Sequence, residues 1–453
     1  MASNGEEKVT LKMEAREVEP FIVGEPKEAP KDKWSLVYLI ILLHGIGTLM
    51  PWNMFITIAD SYYVNYKMRH PVNGSFPGEP TWFSTQYMST QNICSQLPNL
   101  LLNFINIFIV VKGDLTKRIS ISLCFVGSCI LFTMAFIPMD TWSWMGGFFA
   151  LTLVTVVILN GMNGIYQNSI FGLVSDFPFK YTNAVIIGNN FCGTFVTIIN
   201  IISIYIFRGN IAMQAMVYFG LSLTTIALCF CSFFALKKLE FFRYYAMKKN
   251  VEGEEAGEGT TKEEEKGVTF AEFRDTFVEG WQGFINVFLV FFVTLTIFPE
   301  TMLNVQPDRD SWLYRTIGGD LYVSITIFLL FNLLAFIGSM LASFKQIIPP
   351  NRMHIFVYFR LLLIPAFIFL NYRPATRGSL PIISTSTSAF ILLSSIMSIS
   401  SGYLSSLGMM YATSYVSPSR ARTAMMMAAF FLISGIVSGI IFSKILGILV
   451  DLF

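Results

Sequence analysis

Eleven long apolar runs dominate this sequence and leave few folds open to it. They fall at 34–57, 84–111, 118–137, 144–173, 182–207, 213–236, 280–302, 319–346, 353–371, 380–412 and 421–449. A helix needs about 20 mostly apolar residues to cross the hydrocarbon core of a bilayer. Only helices and closed barrels satisfy the backbone in lipid, and runs this long without alternation are helices. The pattern predicts an all-α integral membrane protein with eleven transmembrane helices. Composition agrees, because 13% of the residues are charged, against about 25% in a soluble domain. A net charge of +2 gives no basic surface for nucleic acid.

Residues 1–33 are polar and charged, without the apolar stretch of a cleavable signal. They read as a disordered cytoplasmic tail, with the first helix as start signal. Lysine and arginine set the orientation. With the N-terminus cytoplasmic, sixteen near-membrane basic residues lie on the cytoplasmic side and seven on the other. An odd helix count then puts the C-terminus outside. The sequon Asn73-Gly74-Ser75 falls in the first external loop, making Asn73 a candidate glycosylation site. A second break is the glutamate- and glycine-rich segment 237–279, read as a solvated cytoplasmic linker. It divides the chain into a six-helix bundle over 34–236 and a five-helix bundle over 280–453. Such a 6+5 plan places a site between two bundles near the midplane.

Polar residues inside the spans carry the functional signal. Residues at i, i+3, i+4 and i+7 share a helix face. The second helix carries Gln96, Asn99, Asn103 and Asn106 at that spacing, and the fourth carries Asn160, Asn163 and Gln167. The fifth offers Asn189, Gly193, Thr197 and Asn200, the eighth Phe328, Asn332, Ala335 and Ser339, and the tenth Ser394, Ser398, Ser401 and Ser405. Interhelical hydrogen bonding explains any single one of these. Five narrow polar faces together favour a shared aqueous pathway for a polar, uncharged solute, with an aromatic ring stacked on Trp52 or Phe328. Three further residues have bland readings: His44 as a packing histidine, Arg360 as a snorkelling or interhelical cation, and Glu300 as an interfacial or gating carboxylate. The six cysteines, all in apolar stretches, read as small buried hydrophobes. No cofactor or metal site is indicated, and no catalytic constellation is spaced as an enzyme would need.

Several segments resemble the equilibrative nucleoside transporter family. Gly45-Ile46-Gly47-Thr48-Leu49-Met50-Pro51-Trp52-Asn53 with Phe55 to Thr57 matches its first-helix signature. Gln167-Asn168-Ser169-Ile170-Phe171-Gly172-Leu173 and Leu239-Glu240-Phe241-Phe242-Arg243-Tyr244-Tyr245 match later ones, as do Leu97-Pro98, Arg360 with Pro365 and Asn371, and Gly402-Tyr403-Leu404-Ser405-Ser406-Leu407. The resemblance implies a major-facilitator-like fold and passive alternating access for nucleosides or nucleobases. The N-terminal tail carries no acidic dileucine signal, which favours the plasma membrane, and the protein is expected to act as a monomer. The resemblance also implies that Leu49, Trp52, Ile56, Gln96, Asn99, Gln167, Phe328 and Asn332 face the substrate, with Gln167 as the leading partner of a nucleobase. Ser339, on the same face of the eighth helix, joins this candidate set. One departure stands out: the family's acid and arginine of the eighth helix are Ala335 and Ser339 here. Two alternatives stay open, a related carrier with a changed neutral polar substrate and a non-transporting membrane receptor or scaffold.

Overall fold

Helices packed face to face through small residues make up nearly all of the computed structural model, which describes residues 30–72, 75–108, 115–207, 210–245, 268–317 and 322–452. Asn73, the tail 1–29 and the central part of the expected linker, 246–267, lie outside the described residues. The first bundle holds α1 (Leu36–Ile58, continued by a π-helical stretch Ala59–Lys67), α2 (Trp82–Phe108), α3 (Leu115–Ala135), α4 (Met145–Val174), α5 (Phe179–Ile206) and α6 (Ile211–Leu236). The second holds α7 (Phe270–Thr296), α8 (Ser324–Phe344, beginning with a π-helical stretch), α9 (Pro350–Ile368), α10 (Thr387–Tyr411) and α11 (Ala421–Leu452). Ten helices among the described residues are long and apolar enough to cross a membrane. The long helix α2 is not among them, because its amides dilute its apolar surface.

Neighbours follow from the side-chain pattern. In the first bundle α1 packs on α5 and α6, α2 on α4, and α3 on α4 and α6; in the second α7 packs on α11 and α8 on α10. The bundles meet where α5 lies against α8 and α10, and where α11 lies against α2 and α4. Lipid supplies no hydrophobic force between helices, so close backbone approach matters more than in water. Reciprocal glycines provide it. A Cβ on Gly45 would stand 2.4 Å from the Val185 carbonyl oxygen of α5, and one on Gly188 would stand 2.2 Å from that of Leu42 in α1. The second bundle repeats the device between α8 and α10, with Gly338 against the Ile399 oxygen at 2.3 Å and Gly402 against the Ala335 oxygen at 1.8 Å.

Several expectations shift in detail. The seventh helix starts at Phe270, inside the segment read as linker, because Thr269 caps it: its hydroxyl accepts from the Glu272 amide at 3.1 Å. A Thr three residues before Glu is the sequence mark of such a start. The tenth helix starts at Thr387 rather than 380. A two-stranded hairpin, β1 (Arg69–Val72) with β2 (Ser75–Pro80), follows the first helix, so the chain is not wholly α. Of the cysteines only Cys192 and Cys229 are buried; Cys124 and Cys231 are exposed on outward helix faces, where a membrane chain meets lipid.

Gly402→Val should cost about 1–3 kcal/mol through overpacking, seen as a lower midpoint of thermal denaturation in detergent. Gly127→Val, whose added Cβ would lie 3.8 Å from its nearest neighbour Ile226, should leave the midpoint unchanged.

Candidate functional site

The amide stripe of α2 divides into two halves with different fates. Asn103 and Asn106, toward the C-terminal end of the helix, are consumed by Asn168 of α4. The Asn168 amide nitrogen donates to Asn103 Oδ1 at 3.1 Å and to the Met426 carbonyl of α11 at 3.0 Å, while its oxygen accepts from Asn106 Nδ2 at 2.8 Å. On the other side of the interface, Asn183 of α5 donates to the Ser339 carbonyl at 3.2 Å and to the Ser343 hydroxyl, and Asn190 donates to Ser339 Oγ at 2.9 Å. Arg422 and Asp176 form the one ion pair joining the bundles among the described residues, at 3.1 Å. One end of the bundle interface is thus fastened by neutral amides and a single ion pair.

Gln96 and Asn99 lie deeper and remain free. Gln96 and Gln167 make no hydrogen bond among the described residues, and Asn99 Oδ1 is buried without a partner. Asn99 sits over Gly164 of α4, where a Cβ would come within 2.5 Å of its oxygen. Gln167 projects one turn further along α4. Neighbouring helices close the ring. Asn163 Nδ2 donates to the Thr48 carbonyl of α1 at 2.7 Å, and the Thr48 hydroxyl reaches Asn189 Oδ1 of α5 at 2.8 Å. Asn53, one turn on, lies 3.7 Å from Cys192 Sγ. The next residue of α5, Gly193, leaves room for Asn332 of α8: a Cβ there would stand 2.0 Å from Asn332 Oδ1. The Asn332 amide nitrogen donates to the Phe328 carbonyl at 2.9 Å. Phe328 meets Phe298 edge-on at 5.6 Å, and Phe298 stacks on Phe331 at 3.8 Å. Leu49, Trp52 and Ile56 share a face of α1 and are all half-buried.

Contacts therefore run from Asn163 of α4 through Thr48 of α1 to Asn189 of α5, from Gly193 of α5 to Asn332 of α8, and from Gly164 of α4 to Asn99 of α2; Leu49 and Trp52 lie on α1 and Gln167 on α4, helices of the same set. Ser339 stands apart. It is fully buried and occupied, donating to the Ala335 carbonyl at 2.9 Å while accepting from Asn190. Three of the four serines on the α10 stripe are spent inside its bundle: Ser398 donates to the Ser394 carbonyl, Ser401 pairs with Thr294 of α7 at 2.9 Å and Ser405 donates to the Gly402 carbonyl, while the Ser394 hydroxyl is buried without a partner. Arg360 does not snorkel. It is buried and donates to the Val290 carbonyl and Thr294 Oγ1 at 2.9 Å each and to Ser400 Oγ at 3.1 Å, tying α9 to α7 and α10. His44 is a packing residue, with Nδ1 2.6 Å from the Tyr166 hydroxyl. Glu300 is exposed. Sequence reasoning passed over Asn168, Asn183 and Asn190, although Asn183 and Asn190 are seven residues apart and so share a face.

Two bundles of membrane helices meeting across a largely neutral interface form a major-facilitator-like fold. Solved structures agree on the fold: FucP, a Major Facilitator Superfamily transporter in an outward conformation, superposes with a TM-score of 0.51 at 11% identity, covering 93% of this chain and 92% of that one. The human organic anion transporter MFSD10 gives 0.50 at 14% identity, covering 91% and 93%. Residues 153–448 match the family model described as nucleoside transporter, and the chain belongs to that family of membrane transporters. It is 26% identical to equilibrative nucleoside transporter 3 of Rattus norvegicus, over 91% of this chain and 89% of that protein. It is 27% identical to human equilibrative nucleoside transporter 1, over 91% and 97%, and 23% identical to equilibrative nucleotide transporter 1 of Arabidopsis thaliana, over 92% and 87%.

The fastening should rest on the amides rather than the ion pair. Asp176 and Arg422 are partly exposed, and a double-mutant cycle on such a pair should return less than about 1 kcal/mol. Asn168→Leu strands buried partners and should cost about 1–3 kcal/mol. Thermal denaturation of the variants compares the two, and the reverse order would assign the fastening to the charges.

Proposed function

We propose that this protein is a facilitative carrier of nucleosides and nucleobases, working by alternating access without a chemical reaction. The observation that carries the reading is the group of unpartnered neutral amides, Gln96, Asn99 and Gln167, on α2 and α4, helices that flank a bundle interface fastened at one end by groups that can separate. A nucleobase presents neutral donors and acceptors on a planar edge, and unpaired buried amides gain most from such a partner. Leu49, Trp52, Ile56, Phe328 and Asn332 complete the proposed site, the aromatic residues offering faces for a base. Ser339 acts instead in the fastening.

We further propose eleven spans with α2 as the second, its amides turned from lipid to the pathway. The N-terminus is then cytoplasmic and the C-terminus extracellular, in the plasma membrane, and the fastened end is the cytoplasmic one. A second reading has one observation in its favour. Ala335 faces the backbone of Gly402 and Ser339 is hydrogen-bonded in place, so α8 offers no charged group to a sugar diol. The same carrier would then move another neutral polar solute.

Cells lacking endogenous carriers and expressing this chain should take up labelled uridine or adenosine saturably, to equilibrium and without accumulation. Gln167→Ala should lower uptake about tenfold at equal surface abundance, as expected for one or two lost hydrogen bonds. Normal surface abundance with no uptake of uridine, adenosine or hypoxanthine would end the nucleoside reading in favour of the second.

A further inference from the structure

Two arginines from opposite bundles meet at the fastened end of the interface with too few partners. Arg118 stands in the first turn of α3 and Arg422 in the first turn of α11, and neither first turn contains an acidic residue. A helix N-terminus carries a partial positive charge, so a cation there has the wrong sign. Arg118 is 8% exposed. Its guanidinium makes one hydrogen bond among the described residues, from Nη2 to the Asn106 carbonyl at 2.9 Å. Its Nε is enclosed without a partner. Arg360, which also lacks a carboxylate, is held by four acceptors instead.

Three helix ends bring the pair together. A Cβ on Gly172, near the end of α4, would stand 3.2 Å from Met426 of α11 and 3.7 Å from Leu115 of α3. Asp176 and Arg422 each lie one turn beyond that contact, and Arg118 is near enough to Arg422 for the two charges to repel. Asp176 is the carboxylate at hand, accepting from Arg422 Nη2 at 3.1 Å. Arg422 Nε is enclosed without a partner as well. The neighbouring acids are engaged elsewhere: Glu272 of α7 accepts from the Thr423 hydroxyl at 3.0 Å, and Arg420 takes Glu279 at 3.0 Å and Asp275 at 3.8 Å. Two guanidiniums and two helix N-termini are thus set against one carboxylate.

A buried cation without counter-charge is costly, and the Nη1 groups show where compensation enters. Neither Nη1 donates to a protein acceptor among the described residues, and neither is enclosed. Arg422 keeps 34% of its side chain exposed, so the pair opens to solvent. The free donors come from two planar forks on different helices, which calls for an anion with several oxygens. A phosphate group meets that demand: guanidinium forks match its oxygens, and helix N-termini favour it. A carboxylate has fewer oxygens to divide between the two forks, and chloride has a single atom. We propose that Arg118 and Arg422 together bind one phosphate group, of a lipid headgroup or free in solution, which joins α3 to α11 across the bundle interface.

The test titrates the full chain in phosphatidylcholine nanodiscs with inorganic phosphate, chloride holding the ionic strength constant, and follows the midpoint of thermal denaturation. The midpoint should rise saturably, as for any ligand that binds the folded state alone. Arg118→Gln and Arg422→Gln should each shift the response to phosphate concentrations on the order of tenfold higher, the effect of losing hydrogen bonds to a charged group. Arg118→Lys, which keeps the charge and loses the fork, guards against a folding defect: it should keep the phosphate-free midpoint and still respond more weakly. Arg420→Gln, whose arginine already has its carboxylates, should respond to phosphate as the unchanged chain does. Nanodiscs containing phosphatidic acid separate the two sources. A midpoint already raised there, with no further response to phosphate, assigns the site to lipid, and an unaltered titration assigns it to free phosphate. No rise with either source, or an equal rise in the Arg118 and Arg422 variants, would overturn the proposal.

Discussion

The hydrogen bonds that Asn168, Asn183 and Asn190 make across the bundle interface govern the rest of the molecule. In hydrocarbon a side-chain amide must find a protein partner or water. These three find theirs in the opposite bundle: the Met426 carbonyl, Ser339 and Ser343. The partners are neutral, and each bond is modest in net terms, about 0.5–1.5 kcal/mol. A fastening of this kind holds one arrangement without making it permanent. A buried ion-pair network in its place would leave uncompensated charges on separation, at several kcal/mol each. Neutral amides suit an interface that must open and close.

The same economy explains how the site is kept free. Inside each bundle the glycine pairs bring backbones into contact, so packing needs few polar side chains. Arg360 illustrates the contrast in the second bundle. Among the described residues its guanidinium pairs with no carboxylate, and carbonyls and hydroxyls of α7 and α10 satisfy it. That arrangement ties α9 to α7 and α10 inside the second bundle. The unpartnered groups then lie on α2 and α4, the two helices of the first bundle against which α11 packs.

Helix positions were legible in the sequence because lipid imposes a length, and ten of the predicted runs reappear as helices able to span. Faces were legible too, since spacing alone put Gln96, Asn99, Asn103 and Asn106 on one side of α2. Depth along a face was not. Periodicity cannot tell Asn99, which stays unpartnered, from Asn103, which is spent on Asn168, because the difference lies in which residue of another helix stands opposite. Ser339 illustrates the same point, sharing the face of Asn332 yet belonging to the fastening. The early start of α7 was readable from Thr269 and Glu272, but the glutamate-rich run beside it masked the cap. The hairpin after α1 has no alternating pattern in Arg69–Val72 or Ser75–Pro80 to announce it.

Position 335 shows how a helix contact can be fixed by backbone whatever side chain stands on it. Its backbone carbonyl receives Gly402 at a distance no Cβ tolerates, so α8 and α10 are fixed there whatever the side chain. The side chain points into a nearly closed space, and Ala335 is 1% exposed. An alanine there needs no partner, whereas a carboxylate would require a cation or several donors to offset its desolvation. Ser339, one turn on, directs its proton back to the Ala335 carbonyl and its lone pair to Asn190. The two residues are therefore self-consistent as a neutral pair: Ala335 packs within the second bundle against Gly402, and Ser339 joins the seam to the first bundle through Asn190.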